Sequence, residues 1–222
     1  MATTDGTDTP RRRSSRGRGR PPGNQPLVDR AAVIEAAFAA IKASGPAVTM
    51  EDIAKTADVT KPMVYRTIGD RDAVIVAVAD ELNRRVKTAA DAERARGADR
   101  ADQFHRVMEA IFVVLVEERE IYLFLDRVWS DVDREEQARI VRSGIGTFLP
   151  PMERLVDPDK APPGLEETWS YATLGAIRGV VTMWLTRDYC PMDQVIDHIA
   201  AFLYRDGIQI GDAGPRAETV GD

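Results

Sequence analysis

"TMEDIAKTADVTKPMVYRTIGDRDAV", residues 49–74, is the stretch whose reading decides the fold. Thr49 opens a short helical segment with Asp52 three residues on, the spacing of a capping box with Asp where Glu is preferred. That segment closes at Asp58, and Thr60 starts the next. Pro62 fits the first turn of this second helix, where a missing N–H costs little, while Lys61 before it is biased away from helical angles. Ile53, Ala54, Val59, Val64 and Ile68 form one apolar set, and Lys61, Pro62, Met63 and Arg66 are left outside it. Two helices over 49–57 and 60–68, joined by a tight turn at Asp58-Val59, read as a helix-turn-helix. The outward set suits the major groove of DNA, whose width admits one helix. Thr49 and Thr60 would then offer hydroxyls and free N–H groups to phosphates. Periodicity alone allows an ordinary αα corner with a solvated charged face equally well.

The pattern stays helical outward from this stretch, and no period-two alternation bounded by turns is found. A first helix over about 27–43 places Val33, Ala37, Phe38 and Ile41 on one face and ends at Gly45-Pro46. A long helix is expected over 70–96, ending at Gly97. After it come "ADQFHRVMEAIFVVLVEE", "IYLFLDRVW" and "REEQARIVRSGIGTFLPPMERLV", the last broken at Pro150-Pro151. A Pro-rich loop, "DPDKAPPG", precedes two final helices over about 165–186 and 192–205. The expected fold class is all-α, with about nine helices. Residues 1–26 form a basic arm lacking the apolar surface to fold alone, 27–75 the helix-turn-helix domain, 76–206 a larger helical domain, and 207–222 a loose tail.

Composition narrows the function classes. The chain has 222 residues, 44% of them apolar, enough for a real core. Its net charge of −6 hides an asymmetry: residues 1–30 hold seven Arg against three Asp, which is +4, leaving −10 for the rest. An acidic body with a basic arm implies a polyanionic partner met at one end. Cys190 is the single cysteine, so no intrachain disulfide forms. No apolar run approaches the ~18 residues needed to span a bilayer, and the Arg-rich N-terminus has no apolar signal core. A cytoplasmic protein is expected. Nucleophilic catalysis would have only His105 and His198 as imidazole bases, without supporting spacing, and no metal cluster or Gly-rich phosphate loop is present. No enzyme activity, cofactor or metal is expected.

Thr49, Ile53-Ala54, Ala57, Val59-Thr60 and Tyr65 together make the stretch similar to the DNA-binding domain of the TetR family of bacterial transcriptional regulators. The chain departs from that pattern at Asp58, where the family usually has Gly, at Thr67-Ile68 for His-Phe, and at Arg71 for Lys. Asp tolerates left-handed angles, Ile68 keeps the apolar plug and Arg71 keeps the charge, while Thr67 loses an imidazole. The resemblance implies a homodimer that binds a palindromic operator and is released by a small-molecule effector. It implies phosphate contacts from Thr49, Thr60, Tyr65 and Arg71, with Thr67 in the position of the family's His, and base contacts from Lys61, Pro62, Met63 and Arg66. Pro62 and Met63 suit thymine methyl groups. In the arm, Arg18-Gly19-Arg20-Pro21 resembles the core of an AT-hook, which lays Arg into a narrow minor groove. A solubilising tail with sequence-blind phosphate attraction is the other reading of the arm.

The resemblance further implies an effector pocket in the larger domain. "VMEAIFVVLV", 107–116, is apolar on nearly every side except Glu109 and is expected to be central and buried. Phe104, Met108, Phe112, Tyr122, Trp129, Phe148 and Trp169 are candidate pocket walls, with Tyr122 and Arg178 as polar anchors; plain core packing is the alternative for each aromatic. The lining implies a mostly apolar ligand of drug-like or lipid-like size. "LGAIRGVVTMWL", 174–185, is similar to the family's penultimate helix. Gly175 and Gly179 share a face there, and with Ile196, Ile199, Phe202 and Leu203 would form a four-helix dimer seam, or else pack two helices internally. A regulator of the same fold without an effector, and an activator rather than a repressor, remain the alternatives.

Overall fold

The computed structural model describes residues 29–96, 100–148 and 164–204. Among them are nine α-helices and no strand: α1 (Arg30–Ser44), α2 (Met50–Thr56), α3 (Lys61–Thr67), α4 (Arg71–Arg94), α5 (Arg100–Glu117), α6 (Arg119–Val128), α7 (Arg134–Phe148), α8 (Leu165–Arg187) and α9 (Met192–Tyr204). The all-α class and the order of helices agree with the sequence reading. The expected arm with Arg18 and Arg20, the Pro150-Pro151 break and the C-terminal tail lie outside the described residues.

Local signals set the boundaries. Asp29 caps α1 through its carboxylate, which accepts from the Ala31 N–H at 3.0 Å, so the helix starts at Arg30 rather than near Leu27. Thr49 and Asp52 form the capping box in full: the Asp52 N–H donates to Thr49 Oγ1 at 3.2 Å, and the Thr49 N–H to Asp52 Oδ2 at 2.9 Å. Asp58 takes φ +53°, the left-handed turn that joins α2 to α3. Asp70 caps α4 by accepting from the Ala73 N–H at 3.0 Å. Gly69 just before it has φ +127°, and a Cβ there would stand 2.8 Å from the Ala73 Cβ, so the tight entry into α4 requires glycine.

One contiguous apolar cluster runs from the helix-turn-helix into the larger helical body. Val33, Ala37, Phe38 and Ile41 of α1 bury the face expected of them, against Ile53, Ala54 and Val64 of α2 and α3, with Val59 and Ile68 partly buried at its edge. The 24-residue α4 leaves this small core and packs on α5, α6 and α7, so one element touches both parts. α6 in turn packs on α1 and on α8. α5 corrects the sequence reading. It buries Val107, Met108, Ile111, Phe112 and Leu115 but leaves Val113 and Val116 exposed, so it has one buried stripe and is not enclosed all round. Its apolar residues exceed what one packed face can take, and scattered surface valines are ordinary.

Candidate DNA interface and ligand cavity

α3 presents its outward face to solvent. Lys61, Pro62, Tyr65 and Arg66 are exposed, Met63 and Thr67 are partly so, and Val64 anchors the helix with no exposed surface. Tyr65, at 44% exposure, keeps a large ring partly in solvent on this face. Thr60 stands at the N-cap of α3, yet its side chain makes no capping hydrogen bond. Pro62 explains part of this, because it removes one of the two N–H groups an N-cap hydroxyl normally accepts from. The other, on Met63, bonds the Thr60 carbonyl oxygen at 2.8 Å. The Thr60 hydroxyl is thus open to an external phosphate. Thr49 differs. Its hydroxyl donates to Asp52 Oδ2 at 2.7 Å, and that bond holds the Asp52 carboxyl below its ordinary range. A phosphate approaching Thr49 would meet this ionised carboxylate, unlike one approaching Thr60.

The larger body has a cavity of about 650 Å³, open on one side, lined by α4, α6, α7 and α8 and by Leu115 of α5. Of the expected wall residues, Tyr122, Trp129 and Arg178 line it. Met108 and Phe112 do not: they are closed into the core, and the Phe112 ring packs on Trp184 at 5.2 Å between centroids. Phe104 is also away from the cavity, half-buried beside His105. Among the described residues of α5, Leu115 alone lines the cavity. The side chains of Phe148 and Trp169 lie outside the described residues.

The polar part of the lining is compact. The Tyr122 hydroxyl donates to the Arg178 carbonyl oxygen at 3.2 Å and lies 3.3 Å from Thr182 Oγ1. Burial pushes this phenol up to about 12, so it is a neutral donor at neutral pH. Arg178 Nε pairs with Asp126 Oδ1 at 3.2 Å, and its guanidinium carbon is 5.4 Å from the Trp129 ring centroid. Asp126 and Thr182 are additions to the expected site. Tyr122 and Asp126 are four apart along α6, as are Arg178 and Thr182 along α8, so each pair shares a helix face, and Trp129 follows at the C-cap of α6.

Between cavity and helix-turn-helix stands an ion-pair junction absent from the sequence reading. Glu118, at the break between α5 and α6, is 7% exposed. Its Oε1 accepts from Arg85 Nη1 at 2.8 Å, and its Oε2 lies 2.7 Å from Lys42 Nζ of α1. Arg85 also pairs with Glu81 at 2.9 Å and with Glu35 of α1, and it covers the Phe38 ring at 4.3 Å. The same short helix, α6, therefore holds α1 at its start and lines the cavity along its length.

The expected dimer residues divide. Ile196 and Ile199 are buried within the chain, where α9 packs on α5, and so cannot also face a partner. Gly175 and Gly179 share an exposed face at the cavity rim with open space around them. Phe202 is 61% exposed, and the Leu203 side chain lies outside the described residues. Among the described residues no helix is long and apolar enough to cross a membrane, and no cluster of His, Cys, Asp and Glu could hold a metal ion.

This arrangement is the fold of the TetR-family transcriptional regulators. The chain is similar to the fatty acid degradation regulator FadR from Bacillus halodurans, with 13% identity and a TM-score of 0.59 over 79% of this chain and 97% of that one. It is similar to Thermus thermophilus FadR, a TetR-family repressor solved with lauroyl-CoA, at 13% identity and TM-score 0.59 over 79% and 93%. It is also similar to the TetR-like regulator LfrR from Mycobacterium smegmatis, solved with proflavine, at 19% identity and TM-score 0.52 over 78% and 93%. No protein-family model matches the sequence, and neither does any curated protein.

Proposed function

We propose that this chain is a DNA-binding transcriptional regulator, working as a homodimer on a palindromic operator and released by a small effector with a largely apolar body. The observation that carries the reading is that α3, with its exposed Lys61, Pro62, Tyr65 and Arg66, shares one continuous core with helices that line an open cavity of about 650 Å³. That volume falls in the ~300–1,000 Å³ range of small-molecule sites. Phosphate contacts are assigned to Thr60, Tyr65 and Arg71, and base contacts to Lys61, Pro62, Met63 and Arg66, with Thr67 beside them. A second copy is assigned to the exposed side of α8 and α9, where Phe202 stands and Gly175 and Gly179 leave room. Neighbours of this fold have been solved with lauroyl-CoA and with proflavine, which supports a small-molecule effector of some kind.

An effector must bind the released shape better than the DNA-bound one, since equal affinity shifts nothing. α6 is the element placed to do this, because movement of Tyr122, Asp126 and Trp129 around a ligand would reach Lys42 through Glu118. The test is fluorescence anisotropy of a selected operator duplex with the full chain, titrated with hydrophobic compounds. Release by at least one compound, lost when the cavity is filled by Leu174→Trp, is expected. Tight operator binding that no cavity-bound compound alters would favour a constitutive regulator instead.

A further inference from the structure

The cavity already holds a flat cation: its own Arg178. The guanidinium rests over Trp129 at 5.4 Å and is paired to Asp126 at 3.2 Å. Among the described lining residues, Asp126 and Arg178 are the only charged ones, and the rest of the wall is apolar or aromatic apart from Asn83 and Thr182. The two partners are unequally held. Arg178 is 43% exposed and Asp126 26%. Arg178 has a long, jointed stem and can return its head to water at the cavity mouth, whereas Asp126 sits on a shorter stem within the wall.

That inequality decides which ligand charge the site accepts. An anion binding to Arg178 would draw it from Asp126 and leave the more buried carboxylate unpaired beside a like charge. A cation displacing Arg178 leaves no buried charge alone: Asp126 gains a new partner and the guanidinium gains water. The Trp129 face then receives a delocalised cation in place of the one it held. We propose that the cavity is built for a flat organic monocation with an apolar body, such as an aryl amidinium or an N-alkylated heteroaromatic ring, seated on Trp129 against Asp126. The proposal rests on reading the cavity as an effector site, and it names that effector's charge.

Three ligands on one tricyclic skeleton separate the possibilities: N-methylacridinium, neutral 9-methylanthracene and 9-anthracenecarboxylate, titrated calorimetrically into the full chain without DNA. N-methylacridinium is expected to bind about tenfold or more tighter than 9-methylanthracene, a modest share of what close charge pairing supplies, with the carboxylate weakest. Asp126→Asn should erase the cation's advantage while helicity and melting stay intact. Arg178→Gln should preserve or raise the cation's affinity, because it removes the resident competitor. Carboxylate binding tightest and depending on Arg178 would overturn the proposal and leave an anion-responsive effector site. Equal binding of all three, indifferent to Asp126→Asn, would overturn it and leave an apolar one. Nile red, a neutral probe, is the control: uptake of Nile red with none of the three bound overturns the cation alone, and no binding of any probe overturns the effector reading as well.

Discussion

Glu118→Gln is the perturbation that probes the junction between the two halves most cleanly. It keeps the shape of the side chain and removes one charge from between Lys42 Nζ at 2.7 Å and Arg85 Nη1 at 2.8 Å. Removing one partner of a buried pair costs about 3–5 kcal/mol when it strands the other charge. Neither cation is stranded here. Arg85 keeps Glu81 and Glu35, and Lys42, 43% exposed, can turn to water. What is lost is one charge-assisted hydrogen bond, from Arg85, about 1.5–3 kcal/mol, and the close ion pair with Lys42, before the relief of desolvating a carboxylate is counted. One of the two oxygens becomes an NH2 donor that would face a cation, so Lys42 must leave. The net cost should be about 1–2 kcal/mol, lowering Tm by about 2–8 °C for a chain of this length. The functional effect is larger in kind, because α6 loses its grip on α1. If effector and operator are coupled by the usual ~1–3 kcal/mol, the ratio of operator affinities without and with effector should shrink several-fold in the variant. Calorimetric melting and anisotropy titrations measure the two quantities. An unchanged Tm and an unchanged affinity ratio would refute the role assigned to Glu118.

Other expectations follow from the same geometry. Arg66→Ala should cost on the order of 1–3 kcal/mol of operator affinity and relax preference at one base position, while Thr60→Ala weakens all sequences about equally; competition binding against operator variants checks both. Tyr122 has a pKa raised by burial to about 12, above the ~10 of an unfolded chain, so its contribution to stability is complete below pH 10 and is lost as pH rises from 10 to 12. Tyr122→Phe should flatten that part of the stability curve and remove the latest phenolate absorbance step. Phe202→Glu should split the dimer with little change in Tm, read by sedimentation velocity, since the ring is 61% exposed and packs little within the chain. Removing residues 1–24 should leave Tm unchanged; a larger affinity loss on A·T-rich than on G·C-rich flanks would mark insertion of Arg18 and Arg20 into the minor groove, and an equal loss only phosphate attraction.

What the sequence made legible was what local chemistry determines. The capping box at Thr49–Asp52 and the left-handed turn at Asp58 each depend on residues within three or four positions, and each was readable as such. The outward face of α3 followed from the apolar set it excludes. Tertiary geometry governed the rest. Nothing in the periodicity of α5 says which neighbour its stripe meets, so Met108 and Phe112, suited to a wall, are core. Ile196 and Ile199 fit a seam equally well on paper but are used up against α5. Asp126 was readable in principle, one turn from Tyr122 and from Trp129, yet a search for apolar walls passes over a carboxylate whose counter-ion comes from another helix. Glu118 offered no local signal, because its partners come from α1 and α4.

The central claim, that α3 reads DNA, is tested most directly by selection from random duplexes with the full chain, sequenced after several rounds. The account predicts enrichment of an inverted repeat whose half-sites change when Arg66 or Lys61 is replaced by Ala, with binding that weakens steeply as salt rises. Pools that remain random through every round, for a folded protein at low salt, would contradict it.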